Sequence, residues 1–159
     1  MITTVEPVTT RPATGADVGF LLALLVSSLP PATAALGAVP GLLEQQHAAR
    51  EASYAAAYAS LRDEIVLVGD EPVGRLLTAD VPFATHVVDI AIAPGRRGRG
   101  WGTHLLERLL AHGPVSLTVA TDSPAGALYE RLGFCVVGRT DTHLSLHHSG
   151  HHTTEGTGA

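Results

Sequence analysis

The sequence predicts one α/β domain, a sheet of six to seven strands flanked by about four helices, and three observations predict it. Short β-branched apolar runs recur at residues 8–11, 64–69, 72–79, 85–93, 115–120, 135–140 and 143–147. Segments with three-to-four spacing lie between them, at about 14–28, 41–62, 103–112 and 122–133. Finally, 159 residues at 45% hydrophobic content are enough for one sizeable core, and no repeat or linker marks a second. The domain is taken as residues 1–148, and the polar, glycine-rich stretch 149–159 as a disordered tail.

Residues 1–7 carry no pattern and are expected to fray. Thr14 is a suitable N-cap for the first helix, with Asp17 three residues on. Pro30-Pro31 ends that helix, and 32–40 is punctuated by Pro and Gly. The second helix places Gln46, Arg50 and Tyr54 at i, i+4 and i+8 on one stripe. That spacing suits the wall of an acceptor pocket, and equally a partly buried stripe that satisfies itself. Gly69-Asp70-Glu71 turns a hairpin between the second and third strands. The fourth, 85–93, is apolar almost throughout, so both its faces are expected to be covered. Asp89 interrupts it, and a carboxylate there needs a partner or a purpose. Asp122, Pro124 and Gly133 read as the cap, first turn and stop of a short helix.

The strand 85–93 runs into the densest chemical signal. Residues 96–102, Arg-Arg-Gly-Arg-Gly-Trp-Gly, hold three arginines and three glycines, and a helical pattern follows. Glycines permit the φ values of a tight turn and let a ligand approach the backbone. The first N–H groups of a helix lack intrahelical partners and sit at the positive end of its dipole, which suits a phosphate. Adjacent arginines add charge-assisted hydrogen bonds. A P-loop is excluded, because it needs Gly-Lys-Ser/Thr and the chain has no lysine. A dinucleotide fingerprint beginning at Gly98 and Gly100 meets Thr103 where its third glycine belongs. Asp122 lies at a suitable distance for a ribose contact, but too few strands follow for that fold.

Arg97-Gly98-Arg99-Gly100-Trp101-Gly102 resembles the Arg/Gln-x-x-Gly-x-Gly/Ala signature of the GNAT superfamily of acetyl-CoA-dependent N-acyltransferases. The stretch from Asp122 to Phe134, with Ala125, Leu128-Tyr129-Glu130-Arg131 and Gly133-Phe134, resembles a second GNAT segment, Asp122 standing where asparagine is usual. The strand-to-helix entry at 11–17 is similar to the start of many such domains. The resemblance implies the GNAT fold, a central mixed and mostly antiparallel sheet, and acetyl-CoA as cofactor. It also implies transfer of acetyl to a primary amine, on a small molecule or a peptide N-terminus, by direct attack in a ternary complex. On the same likeness, the backbone around Ile90 and Ile92 holds the pantetheine like an added strand. Arg97, Gly98, Arg99, Gly100, Trp101, Gly102 and Thr103 hold the pyrophosphate, and Asp122 stands at the pantetheine arm. Tyr129 corresponds to the tyrosine that hydrogen-bonds or protonates the leaving sulfur, and Asp89, where some members carry an acidic residue just before this strand motif, is the first choice for the base. His86, His47 and Glu44 are alternatives, as is deprotonation through water. The acceptor-side residues are Gln46, Arg50 and Tyr54, with 32–40 as a further wall. The competing class is a non-catalytic acyl-CoA-binding or sensor module of the same fold.

A net charge of −5 with only 16% charged residues gives no basic surface for nucleic acid. The single cysteine, Cys135, fits a reducing compartment such as the cytoplasm, and its apolar surroundings suggest a buried thiol. The apolar run 18–26 is too short to span a membrane, and although Arg11 precedes it, Glu6 and Asp17 sit in and near the would-be positive region, so export and a membrane partner are not expected. The histidines of the tail lack the fixed geometry of a metal site, so no metal is expected. A homodimer is compatible with the resemblance.

Overall fold

The computed structural model describes residues 7–29 and 35–151, the side chains of 36 and 37 excepted. The expected fraying at the N-terminus, the Pro30-Pro31 stop, residues 32–34 of the candidate wall and the tail from 152 onward lie outside them.

One seven-stranded sheet has the order β1-β2-β3-β4-β5-β7-β6. Its strands are β1 (Val8–Pro12), β2 (Leu61–Val68), β3 (Glu71–Val81), β4 (Ala84–Ile92), β5 (Val115–Ala120), β6 (Cys135–Arg139) and β7 (His143–His148). Every neighbouring pair is antiparallel except β4 with β5. The helices are α1 (Val18–Ser28), α2 (Leu42–Ala57), α3 (Trp101–His112) and α4 (Gly126–Leu132). The sheet is therefore mixed and mostly antiparallel, as expected.

Alternation along β2 sorts the two faces. Ile65 packs with Leu21 and Leu24 of α1, whereas Val66 and Val68 join the larger core with α3 and α4. Helix α3 lays Trp101, Leu105, Leu106 and Leu110 on that core, a stripe with helical spacing. Each fully buried leucine contributes about 1.5–3 kcal/mol over an exposed one.

The entry to α1 is fixed by polar groups. The Thr14 N–H donates to Asp17 Oδ2 at 2.8 Å, the Ala16 N–H to Thr14 Oγ1 at 3.3 Å, and Arg11 grips the Asp17 carboxylate with two bonds of 2.8 Å. Those bonds from Arg11, then from Thr14, hold the Asp17 carboxyl well below the usual carboxylate range. The first turn is 3₁₀, Gly15–Asp17, before the α-helix begins.

Several sequence expectations are corrected. Helix α2 ends at Ala57 rather than near Arg62, because Tyr58 turns extended (φ −129°, ψ 128°) and Leu61, Arg62 and Asp63 pair with Ala79, Thr78 and Leu77. Sheet pairing there overrides an alanine-rich helical propensity. The strand covered on both faces is β3, buried from Val73 to Ala79, and not β4, in which only Val87 is buried. Cys135 is exposed, because β6 is the sheet edge and carries an outward face with Val136 and Val137. Order also continues past 148. The His151 N–H donates to the Leu110 carbonyl at 2.9 Å, and Gly150 lies so close to Gly113 that a Cβ there would meet its carbonyl at 2.6 Å.

Candidate active site

Strands β4 and β5 pair only over Thr85–Val87 with Val115–Leu117, and then part. The cause is visible in the register with β3: Leu77 faces Asp89 and Thr78 faces Val87, which leaves Val88 as an extra residue. Such a bulge bends its strand. β4 bends away while β5 runs on, paired with β7 along its other edge throughout, so Val88 to Ile92 has no strand partner on the β5 side. A small cavity of about 130 Å³ opens there, lined by Val87–Ile90, Leu117, Thr118 and Tyr129.

Tyr129 is 7% exposed. It comes from α4, whose end at Gly133 (φ 93°) sends the chain back so that the Phe134 N–H meets the Tyr129 carbonyl at 3.0 Å. The Phe134 ring stands edge-on to the Tyr129 ring, centroids 5.7 Å apart. Among the described residues the Tyr129 hydroxyl has no hydrogen-bond partner, yet no buried side-chain oxygen or nitrogen is orphaned, so this hydroxyl opens to the slot. Burial, and secondarily the charge of Asp89, push its pKa up.

Asp89 lines both this slot and a larger chamber of about 400 Å³ on the α1/α2 side, shared with Leu21, Leu24, His47, Arg50, Arg75 and Ser123. Burial raises its pKa, while Arg50 and Arg75 pull it down. Arg50 Nη2 stands 3.7 Å from Asp89 Oδ2, and its Nε donates to Tyr54 Oη at 2.5 Å. Tyr54 thus positions Arg50 and does not itself line the chamber, and Gln46 is exposed at the rim of an adjoining apolar chamber. Of the alternative bases, His47 lines the main chamber, 4.0 Å from Glu51. His86 sits at the far end of β4, stacked on Tyr58 and 2.9 Å from Ser116 Oγ, and burial lowers its pKa. Glu44 is exposed on the first turn of α2.

The sequence reading missed Arg75. It is 4% exposed, and it donates to Asp63 through Nε and Nη2 and to Glu51 through Nη1 and Nη2 at 2.7–2.9 Å, tying α2 to β2 and β3 behind Asp89. Removing one member of a buried ion cluster costs about 3–5 kcal/mol. Glu51 and Asp63 side chains are 34% and 32% exposed and can rehydrate. Arg75→Met is therefore expected to lower stability by about 2–3 kcal/mol in urea unfolding; a loss under about 0.5 kcal/mol would mean that the cluster does not hold α2 in place.

On the other flank of the slot, the loop after β4 forms a 3₁₀ turn, Pro94–Arg96, and then uses Gly98 (φ 78°) and Gly100 (φ 79°) to reach the first turn of α3. A Cβ on Gly98, Gly100 or Gly102 would meet nothing within 4 Å, so the left-handed backbone selects glycine at the first two and the space above all three is open. The first intrahelical bond is that of the His104 N–H to the Gly100 carbonyl, which leaves the N–H groups of Trp101, Gly102 and Thr103 without intrahelical partners. The cradle, about 480 Å³, is lined by residues 96–103 with Leu128 and Arg131. Arg97 Nε donates to the Ile92 carbonyl at 2.9 Å, Arg99 lies over the Trp101 ring at 5.5 Å, and Arg96 pairs with Glu71. The Trp101 ring itself is buried in the core.

Asp122 is an exposed turn residue and makes no cap. Ser123 Oγ instead accepts the Ala125 N–H at 3.2 Å, and Ser123, Pro124 and Ala125 are what reach the chamber. The helix starts four residues later than Asp122, at Gly126, because Ser123 to Ala125 form a separate turn. Among the described residues no three His, Cys, Asp or Glu side chains gather as a metal site.

An open strand edge, a glycine-built loop at a helix start and a buried tyrosine thus gather along one split in the sheet. The chain belongs to the acetyltransferase (GNAT) family, whose model matches residues 34–134. It is an acyltransferase, and its cofactor is acetyl-CoA. No curated protein matches it significantly in sequence. Solved structures share the fold. An acetyltransferase from Thermus thermophilus is 24% identical with a TM-score of 0.69, covering 91% of this chain and 98% of its own. The spermidine/spermine N-acetyltransferase SpeG from Vibrio cholerae, in mutant form, is 19% identical (TM-score 0.62; 90% and 95%). The ribosomal-protein-S18-alanine N-acetyltransferase from Escherichia coli is 18% identical (TM-score 0.60; 94% and 98%).

Proposed function

We propose that the protein acetylates a primary amine by direct attack within a ternary complex, with Asp89 as base and Tyr129 as acid. The observation that carries this is that both side chains line one slot, with Asp89 opening also to the acceptor chamber.

The cradle fits the phosphates of acetyl-CoA: unpaired N–H groups at the start of α3, open space above three glycines, and Arg97, Arg99 and Arg131 around them. The unpaired edge from Val88 to Ile92 offers backbone groups to the pantetheine arm. When bound, acetyl-CoA supplies an activated acetyl thioester. Asp89 accepts a proton from the acceptor nitrogen, whose lone pair forms the new C–N bond as the C–S bond breaks. Tyr129 gives its proton to the departing sulfur, and both residues reset through solvent. Since its pKa is pushed up, the hydroxyl stays protonated through neutral pH.

Asp89 acts as a base only when ionised, so kcat/KM for an amine should rise as pH passes its raised pKa, in addition to the rise from the amine's own deprotonation. Asp89→Asn is expected to lose about 10²-fold in kcat/KM and to leave only the amine's limb in the pH profile. An unaltered profile in a thiol-release assay would assign deprotonation to water alone.

The acceptors named for the solved neighbours range from spermidine and spermine to a protein alanine, so the family leaves the acceptor open. The exposed free thiol of Cys135 supports a reducing cytoplasm, and no described helix is long and apolar enough to cross a membrane. Val136 and Val137, 53% and 67% exposed on the edge strand β6, support pairing with a second copy.

A further inference from the structure

Resting on that proposal, we infer that the acceptor is a monoamine with an apolar body, its nitrogen at Asp89 and its body in the second chamber between α1 and α2. That chamber, about 530 Å³, is lined by Leu25, Leu29, Leu42, Leu43 and Ala49, with Gln46 and Arg50 at its polar wall. Its volume falls within the roughly 300–1,000 Å³ of small-molecule sites. Leu25 and Arg50 line both this chamber and the one holding Asp89, so the two adjoin along a shared wall. On this inference the substituent of an amine seated at Asp89 passes Leu25 and Arg50 into the apolar chamber rather than staying in water.

Charge argues against a polyamine. Among the described residues Asp89 is the one carboxylate lining either chamber, and it faces Arg50, Arg75, Arg97 and the titratable His47. Glu51 and Asp63 are committed to Arg75. A second or third ammonium on the acceptor would find no free carboxylate in the described lining and would meet guanidinium groups. A peptide N-terminus also brings a polar backbone beyond its first residue, which a leucine-lined chamber cannot pair.

Calorimetric titration of the protein–CoA complex with phenethylamine, methylamine and spermidine decides this without turnover. Phenethylamine is expected to bind at least about tenfold tighter than either of the others, the scale of discrimination that an apolar pocket gives for a hydrophobic group. Ala49→Trp, which fills the chamber from an exposed helix position, should erase that advantage and leave CoA binding unchanged; Leu43→Asn, tested beside it, should do the same by placing an amide there. Equal binding of phenethylamine and methylamine, tighter binding of spermidine, or an advantage that survives both substitutions would overturn the inference. Thiol release over the same amines separates it from the transfer chemistry. Phenethylamine binding without turnover on any amine would remove the reaction and keep the chamber, and turnover with no preference would do the reverse.

Discussion

Tyr129→Phe is expected to lower kcat by about 10²–10³-fold with the KM for acetyl-CoA changed less than about threefold, the pattern of a proton donor used in the transition state. The phenylalanine ring keeps the packing against Phe134 and loses one oxygen that opens to the slot and has no hydrogen-bond partner among the described residues. Stability should therefore change little, and the deficit should appear in chemistry. The pH dependence is a second check. With its pKa raised above 10 by burial, the wild-type hydroxyl remains a donor throughout the neutral range and is lost only as pH rises through that elevated value. The wild-type rate should then show no fall with rising pH below about pH 10. A kcat within threefold of wild type in single-turnover thiol release would remove Tyr129 from the mechanism.

The second large effect is at the cradle. Gly100→Glu is expected to weaken acetyl-CoA and CoA at least about 10²-fold in calorimetry, through two independent causes. Gly100 has φ 79°, which costs a residue with a Cβ about 1–2 kcal/mol. The new carboxylate would also stand in the open space of the proposed phosphate site, at the start of α3. Gly100→Ala separates the two: it carries the backbone penalty without the charge and should weaken binding clearly less than Gly100→Glu. If Gly100→Glu binds CoA like wild type, the cofactor lies elsewhere on the sheet.

The parts legible in the sequence were those in which local chemistry decides the structure. Strand, glycine turn and helix around Gly98 and Gly100 follow from backbone freedom and from the donors of a helix start, both written in consecutive residues. The parts that were not legible depend on partners distant in the chain. Arg75 looked like one more residue in an apolar strand, and only the fold brings Glu51 and Asp63 to it. Tyr54 shared a stripe with Arg50, but spacing could not say that it would hold Arg50 rather than face a ligand. Cys135 sat in an apolar run that became an edge, because edge or centre is a property of strand order. Asp122 stood at a motif position that looked like a helix cap, but a separate turn held by Ser123 Oγ comes before the helix, which starts without a side-chain cap.

The extra residue in β4 gives that position an unusual kind of importance. Val88 contributes by being counted: with it the two strands diverge, and without it the ladder with β3 would stay in step and nothing would bend β4 away from β5. Many side chains could occupy the position without altering that outcome, whereas an in-frame loss of one codon would threaten to close the opening that Tyr129 lines. A family compared position by position could thus show free variation at this point and yet never vary in length there.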